Sequence, residues 1–176
     1  MNVARNGAVE LAWTVDGPDD GAPLLLVNGL GSPHVAYEPG FVGALTGRGF
    51  RVVRFDNRDV GLSTHFDAQG IPDLMAVMTA AASGKPVSVG YTLDDMADDA
   101  AALCEALGFD DAHFVGASMG GMIVQTHDDQ WWVPSVRSTA LAGADQRVAI
   151  AQRRREQQPR PGSVLPTHGS FKEPPR

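Results

Sequence analysis

Residues 113–124 read HFVGASMGGMIV, and the fold follows from how that stretch divides. His113-Phe114-Val115 is a short run of aromatic and β-branched residues. Gly116-Ala117-Ser118-Met119-Gly120-Gly121 follows, and then the apolar run Met122-Ile123-Val124. Glycines at G-x-S-x-G spacing let a strand turn sharply into a helix and push the serine hydroxyl out at the bend, the arrangement of a nucleophile elbow. Gly116, Ala117, Gly120 and Gly121 are small enough for strand and helix to come close there. A helix starting near Met119 would aim its unpaired N–H groups and the positive end of its dipole at an oxygen beside Ser118. The competing reading is a chance match in a Gly-rich loop, since the chain has 20 glycines. The apolar strand before the motif and the apolar helix after it favour the elbow.

Working outward, 176 residues suffice for one domain. Hydrophobic residues make up 43% and charged residues 20%, as in ordinary globular proteins. One cysteine, Cys104, rules out an internal disulfide and gives no reason to expect an oxidising compartment. Met1 to Trp13 lacks the apolar core of a signal peptide, and no run is long enough to span a membrane, so a cytoplasmic location is expected. The net charge of −7 argues against a nucleic-acid surface. The charge is unevenly spread. Residues 1–126 hold 6 Lys and Arg against 16 Asp and Glu, a net of −10, whereas residues 127–176 hold 8 against 5, a net of +3. The later segment also carries 6 of the 12 prolines.

Residues 8–15, AVELAWTV, read as a strand and half of a hairpin ended by the turn 16–21. Pro23 to Val27, PLLLV, has the unbroken apolar character of a central strand buried on both faces. It runs into Asn28-Gly29-Leu30-Gly31-Ser32-Pro33-His34, a Gly-rich loop whose backbone N–H groups can face a ligand. Residues 37–47 are predicted helical, with Phe41, Val42 and Leu45 on one face, and FRVVRF at 50–55 is the next strand. In the charged turn 56–63, Arg58 is expected to pair with Asp56 or Asp59 in a structural role. Asp73 to Ala82 is predicted helical and ends at Ser83-Gly84-Lys85-Pro86. Thr92, with Asp94 and Asp95 behind it, is a fitting cap for a long helix whose apolar stripe runs from Leu93 through Met96, Ala100 and Leu103 to Leu107. Cys104 lies on that stripe and reads as core, with no adjoining Lys, Arg or His to favour a thiolate. The strand at 112–116 then delivers Ser118. This alternation predicts a doubly wound, mostly parallel α/β sheet, with the loops after its strand ends gathered at one edge, where such sheets bind ligands.

With NGLGSPH at 28–34, FDNRDVGLS at 55–63 and GASMGG at 116–121 in this order, the chain resembles an α/β-hydrolase-fold protein from about residue 8 to residue 126. Within that superfamily it is similar to bacterial esterases of the aclacinomycin methylesterase type. The resemblance implies a serine hydrolase that attacks an ester, or a related acyl bond, of a small organic molecule through an acyl-serine intermediate. Ser118 would be the nucleophile, the N–H groups of Leu30 and Met119 the oxyanion donors, and His34 a residue that touches substrate or a plain loop histidine. Dehalogenase and epoxide-hydrolase chemistry is disfavoured, because those relatives carry Asp at the elbow. No cofactor is implied, and no His/Cys/Asp cluster has the spacing of metal ligands.

The mechanism also needs a base and an acid, which in this fold follow the serine in the order Ser, Asp or Glu, His. Only 58 residues come after Ser118, whereas the resemblance implies a further ~100 residues or more to carry both partners. His127 and His168 are the later histidines. His127 lies more than two helical turns from Ser118 and His168 sits in a Pro- and Arg-rich stretch, so neither is expected to be the base. Asp128, Asp129 and Asp145 read as solvated charges. Residues 127–176 are expected to be an irregular or disordered tail, with no clean strand after Val136, at best a polar helix from Ala140 to Glu156, and the nucleophile helix cut short after Thr126. A frameshift near codon 127 would account for the change of composition. A chain lacking part of its triad would keep little activity. The alternative is a non-catalytic fragment or binding protein with a hydrolase-like fold.

Overall fold

The computed structural model describes residues 1–130, 137–141 and 149–150, with side chains through residue 126. It contains seven strands in one sheet: β1 (Asn2–Asn6), β2 (Val9–Asp16), β3 (Ala22–Val27), β4 (Phe50–Phe55), β5 (His113–Ala117), β6 (Arg137–Leu141) and β7 (Ala149–Ile150). Their spatial order is β1-β2-β4-β3-β5-β6-β7. The four central strands β4, β3, β5 and β6 are parallel, and the flanking pairs are antiparallel. The helices are α1 (Pro39–Thr46), α2 (Leu74–Ala82), α3 (Leu93–Ala106) and α4 (Met119–Gln130), with short 3-10 turns at His34–Ala36 and Asp67–Gln69. This is the expected doubly wound α/β architecture.

The sheet is buried on both faces, and the two-residue period of each strand sorts its side chains between them. Leu25, Val27, Val53, Phe55 and Phe114 face α3 and α4, where they meet Met96, Ala100, Leu103, Ile123 and Val124. Leu24, Leu26 and Val52 face the other way, onto Val42 of α1 and the half-buried Tyr37 and Leu45. Leu25 and Leu26, adjacent in sequence, are both fully buried on opposite sides. Each contributes about 2 kcal/mol of hydrophobic stabilisation, an upper figure because the unfolded chain already hides some surface. This is why PLLLV lacks the polar alternation of a one-sided strand.

The helices begin and end where the sequence signals it. Thr92 caps α3 in a capping box: its hydroxyl accepts from the Asp95 N–H at 3.3 Å, and Asp95 Oδ2 accepts from the Thr92 N–H at 2.7 Å. Those bonds to Thr92 hold the Asp95 carboxyl below its ordinary range. Asp73 caps α2, accepting from the N–H groups of Met75 and Ala76 at 3.0 and 3.1 Å. None of the nine residues of α2 is buried.

Four expectations are corrected. The hairpin partner of β2 is β1, upstream through the Gly7 turn, and not a strand after residues 16–21; β3 lies two places away, beyond β4. Residues 137–141 form β6, parallel to β5 with Val115 opposite Thr139, so there is a strand after Val136. A helix from Ala140 to Glu156 is ruled out, because Ala140 and Leu141 belong to β6 and Ala149 and Ile150 to β7. Backbone pairing to the exposed side of β5 decides this stretch, where a short polar run such as RSTAL gives no hydrophobic signal. The helix after Ser118, α4, is not cut short after Thr126 but continues to Gln130.

Candidate active site

Ser118 stands between β5 and α4 with φ 53°, one of two non-glycine residues with positive φ among those described. Left-handed backbone costs an ordinary residue about 1–2 kcal/mol, so its neighbours must hold it there. They do so by close approach. A Cβ on Gly116 would lie 2.3 Å from the Gly120 carbonyl oxygen, and one on Gly120 would lie 2.1 Å from the carbonyl oxygen of Val27. Strand, helix and the end of β3 meet with no room for a methyl group. The first helical bond of α4 runs from the Gly121 N–H to the Ser118 carbonyl at 2.9 Å. The Met119 N–H therefore falls in the first turn, where helical N–H groups have no partner within the helix. The Ser118 side chain is exposed to solvent.

The loop after β3 comes directly against this bend. A Cβ on Gly29 would lie 3.2 Å from Ser118 Cβ and 3.8 Å from Oγ. Leu30 is the next residue, its side chain 84% exposed. The loop is fixed at both ends from the turn after β4. At its start, Asn57 Nδ2 donates to the Asn28 carbonyl at 3.0 Å; at its end, the His34 N–H donates to Asp56 Oδ1 at 2.6 Å. Within the loop, Asn28 Nδ2 donates to the Pro33 carbonyl at 2.8 Å.

His34 is buried, and its Nδ1 lies 2.8 Å from Asp56 Oδ1. The other oxygen of Asp56, Oδ2, accepts from the Leu62 N–H at 3.0 Å. Asp56 is only 1% exposed, so these donors stand in for the water its oxygens have lost. Asp56 and Asn57 were not singled out by sequence reasoning as site residues. Their signal was the FDN following a buried strand.

Arg58 does not pair with Asp56 or Asp59. It reaches α3, where Nε and Nη2 donate to the two Asp99 oxygens at 2.7 and 2.8 Å, and Nη2 also meets the Asp95 carbonyl at 3.0 Å. Asp56 is already engaged with backbone N–H groups and His34, and Asp59 lies in left-handed backbone that sends its carboxylate to the Phe66 N–H. Burial opposes the Arg58 charge, but the hydrogen bonds and charge of Asp99 outweigh it, and its pKa is raised. The guanidinium also lies 5.7 Å from the Phe66 ring centroid and 5.3 Å from that of Tyr91. Cys104 packs beside the α3 core, where burial pushes its thiol up to about 12.

Of the expected site, the fold brings Gly29, the residue before Leu30, against Ser118, with Met119 next in the chain. His34 sits beside the end of β4, on Asp56. The side chains of His127, Asp128 and Asp129, and all of Asp145 and His168, lie outside the described residues. Among the described residues no group of three His, Cys, Asp or Glu side chains could hold a metal, and no helix is long and apolar enough to cross a membrane.

Residues 22–144 match the family model described as alpha/beta hydrolase fold. Rhodomycin D methylesterase DauP of Streptomyces sp. (strain C5) is 33% identical over 104 residues, which cover 59% of this chain and 29% of that protein. 3-Oxoadipate enol-lactonase 1 of Acinetobacter baylyi is 29% identical over 112 residues, covering 64% and 33%. A hydrolase of known structure from Pseudomonas aeruginosa superposes with a TM-score of 0.56 at 28% identity, over 81% of this chain and 48% of that one. The chain spans about a third of the length of the curated relatives it matches.

Proposed function

The chain belongs to the α/β-hydrolase family, and on that premise we propose that it carries the nucleophile and oxyanion half of a serine hydrolase acting on an ester or lactone of a small organic molecule. The observation that carries the reading is the approach of Gly29 to Ser118 at the start of α4. Ser118 Oγ attacks the acyl carbon, the C–O bond to the leaving alcohol breaks, and an acyl-Ser118 ester forms that water later cleaves. The Leu30 and Met119 N–H groups receive the negative oxygen of each tetrahedral intermediate, a contribution of about 3 kcal/mol per donor in well-formed sites. The ester and lactone specificity is supported by the names of the methylesterase and enol-lactonase relatives. The proton from Ser118 needs a base. His34 is directed at Asp56, His65 Nε2 at the Gly61 carbonyl, and His113 opens β5 at the end remote from Ser118. No described residue is assigned as the base or its acid. A fluorophosphonate probe tests the reading. Labelling that is lost in Ser118→Ala supports it, and absence of labelling at millimolar probe overturns it.

The second reading, a non-catalytic fragment with residues 127–176 of separate origin, is favoured by the reversal of net charge at residue 127. A break as early as codon 127 sits poorly with β6 and with a family match that runs to residue 144. Translating the gene in its other two frames tests it: helix, strand, Asp and His appearing in either frame beyond that point would support a change of frame.

A further inference from the structure

We propose that His34 is a positioning residue: together with Asp56 it latches the Asn28–Pro33 loop so that the Leu30 N–H is held toward Ser118. The functional consequence rests on the reading of Ser118 as nucleophile; the latch itself does not.

Two consecutive residues at the end of β4 grip the two ends of that loop. Asn57 holds Asn28 through its carbonyl, and Asp56 holds His34 through both the main-chain N–H and Nδ1, at 2.6 and 2.8 Å on the same oxygen. Five residues, Gly29 to Pro33, are strung between these anchors, and they include the segment that abuts Ser118. The latch is rigid on the Asp56 side. Its N–H donates to the Ala12 carbonyl at 2.9 Å, its carbonyl accepts from Ser63 Oγ at 2.6 Å, and its second carboxylate oxygen accepts from the Leu62 N–H at 3.0 Å. That last bond requires glycine before Leu62. Gly61 has φ 58°, and a Cβ there would lie 2.2 Å from Asp56 Oδ2. A buried carboxylate oxygen left without a donor is costly, so the donors around Asp56 hold one another in place. Because a carboxylate accepts, the imidazole is fixed as the tautomer with hydrogen on Nδ1.

Asp56 follows β4 and Ser118 follows β5, with β3 between them. Two strand spacings put them about 10 Å apart, and the imidazole is turned to the Asp56 side. On this reading His34 acts through the loop backbone, whose Gly29 abuts Ser118.

The test uses the full chain, 15N-labelled, with His34→Phe, which keeps the ring but donates nothing, and His34→Asn, whose Nδ2 can replace Nδ1. The backbone amide resonances of Gly29, Leu30, Gly31 and Leu62 are expected to move in His34→Phe and to return to wild-type positions in His34→Asn, while those of Ala4 and Leu11 stay fixed. The rate of fluorophosphonate labelling is expected to fall about tenfold or more in His34→Phe and to recover in His34→Asn, as for loss of one oxyanion donor. Unmoved loop amides in His34→Phe, or displaced loop amides in a folded His34→Asn, would overturn the latch. If His34→Phe does not fold, the His34→Asn spectrum decides. If the wild-type chain is not labelled at all, the hydrolase reading fails while the loop amides still judge the latch.

Discussion

Arg58 Nε and Asp99 Oδ2 meet at 2.7 Å across 41 residues of chain, with side chains only 7% and 2% exposed. The turn after β4 is thereby tied to the middle of α3, and Asn6 Nδ2 of β1 adds a third donor to Asp99 at 2.9 Å. Asp99→Ala would leave a buried guanidinium facing two rings and no counter-ion. A loss of about 3–5 kcal/mol in urea unfolding is expected, since stranding one partner costs far more than the pair contributes. The double variant Arg58→Met with Asp99→Leu should recover most of it.

Two glycines that look alike in sequence should respond in opposite ways. Gly120→Ala puts a methyl group 2.1 Å from the Val27 carbonyl oxygen. It should destabilise the chain by about 1–3 kcal/mol or more and abolish labelling at Ser118. In α1, Gly43→Ala meets nothing within 4 Å and should stabilise by about 0.5–1 kcal/mol through helix propensity. Thermal unfolding of the two variants side by side checks both signs.

The left-handed backbone of Ser118 predicts a stability difference independent of chemistry. Both Ser118→Gly and Ser118→Ala remove the hydroxyl and should end labelling. At φ 53° glycine fits and alanine does not, so the Gly variant should be more stable than the Ala variant by about 1 kcal/mol.

The capping box of α3 predicts an acid-dependent component of stability. The bonds from Thr92 lower the Asp95 pKa in the folded chain. The folded state therefore binds this proton less readily than the unfolded one, and the stabilisation is complete above the ordinary aspartate range. It is lost as pH falls through the lowered value. Thr92→Ala should cost about 1 kcal/mol near neutral pH. The gap between the two proteins in denaturant midpoint should narrow once the pH drops below that range. Asp95 is half-buried near the surface, and solvent screening keeps the pH-dependent part small.

What the sequence declared, and what it withheld, divides along contact range. PLLLV, FRVVRF and HFVGASMGG carry their burial in their own composition, and the cap at Thr92 lies three residues from its partner, so these elements read correctly. β1 did not: only Ala4 of NVARN is buried, and an edge strand of that kind exists because β2 offers it hydrogen bonds. β6 was missed for a related reason. The pairing of Arg58 with Asp99 and of His34 with Asp56 spans 41 and 22 residues, and a preference for the nearest carboxylate misassigned the first. The elbow was legible because glycine marks close approach. The grip on the neighbouring loop was not, because Asp56 and Asn57 read simply as turn residues.

The helix α2 has no buried residue along its whole length. Nine residues without a packed face are too few to hold helical form in water on their own, since the cost of nucleation is recovered only over longer runs. This segment should open far more often than the sheet does, independently of global unfolding. Limited digestion with thermolysin would then sever the chain near Leu74 and Met75 first, and the two pieces would stay associated around an intact sheet.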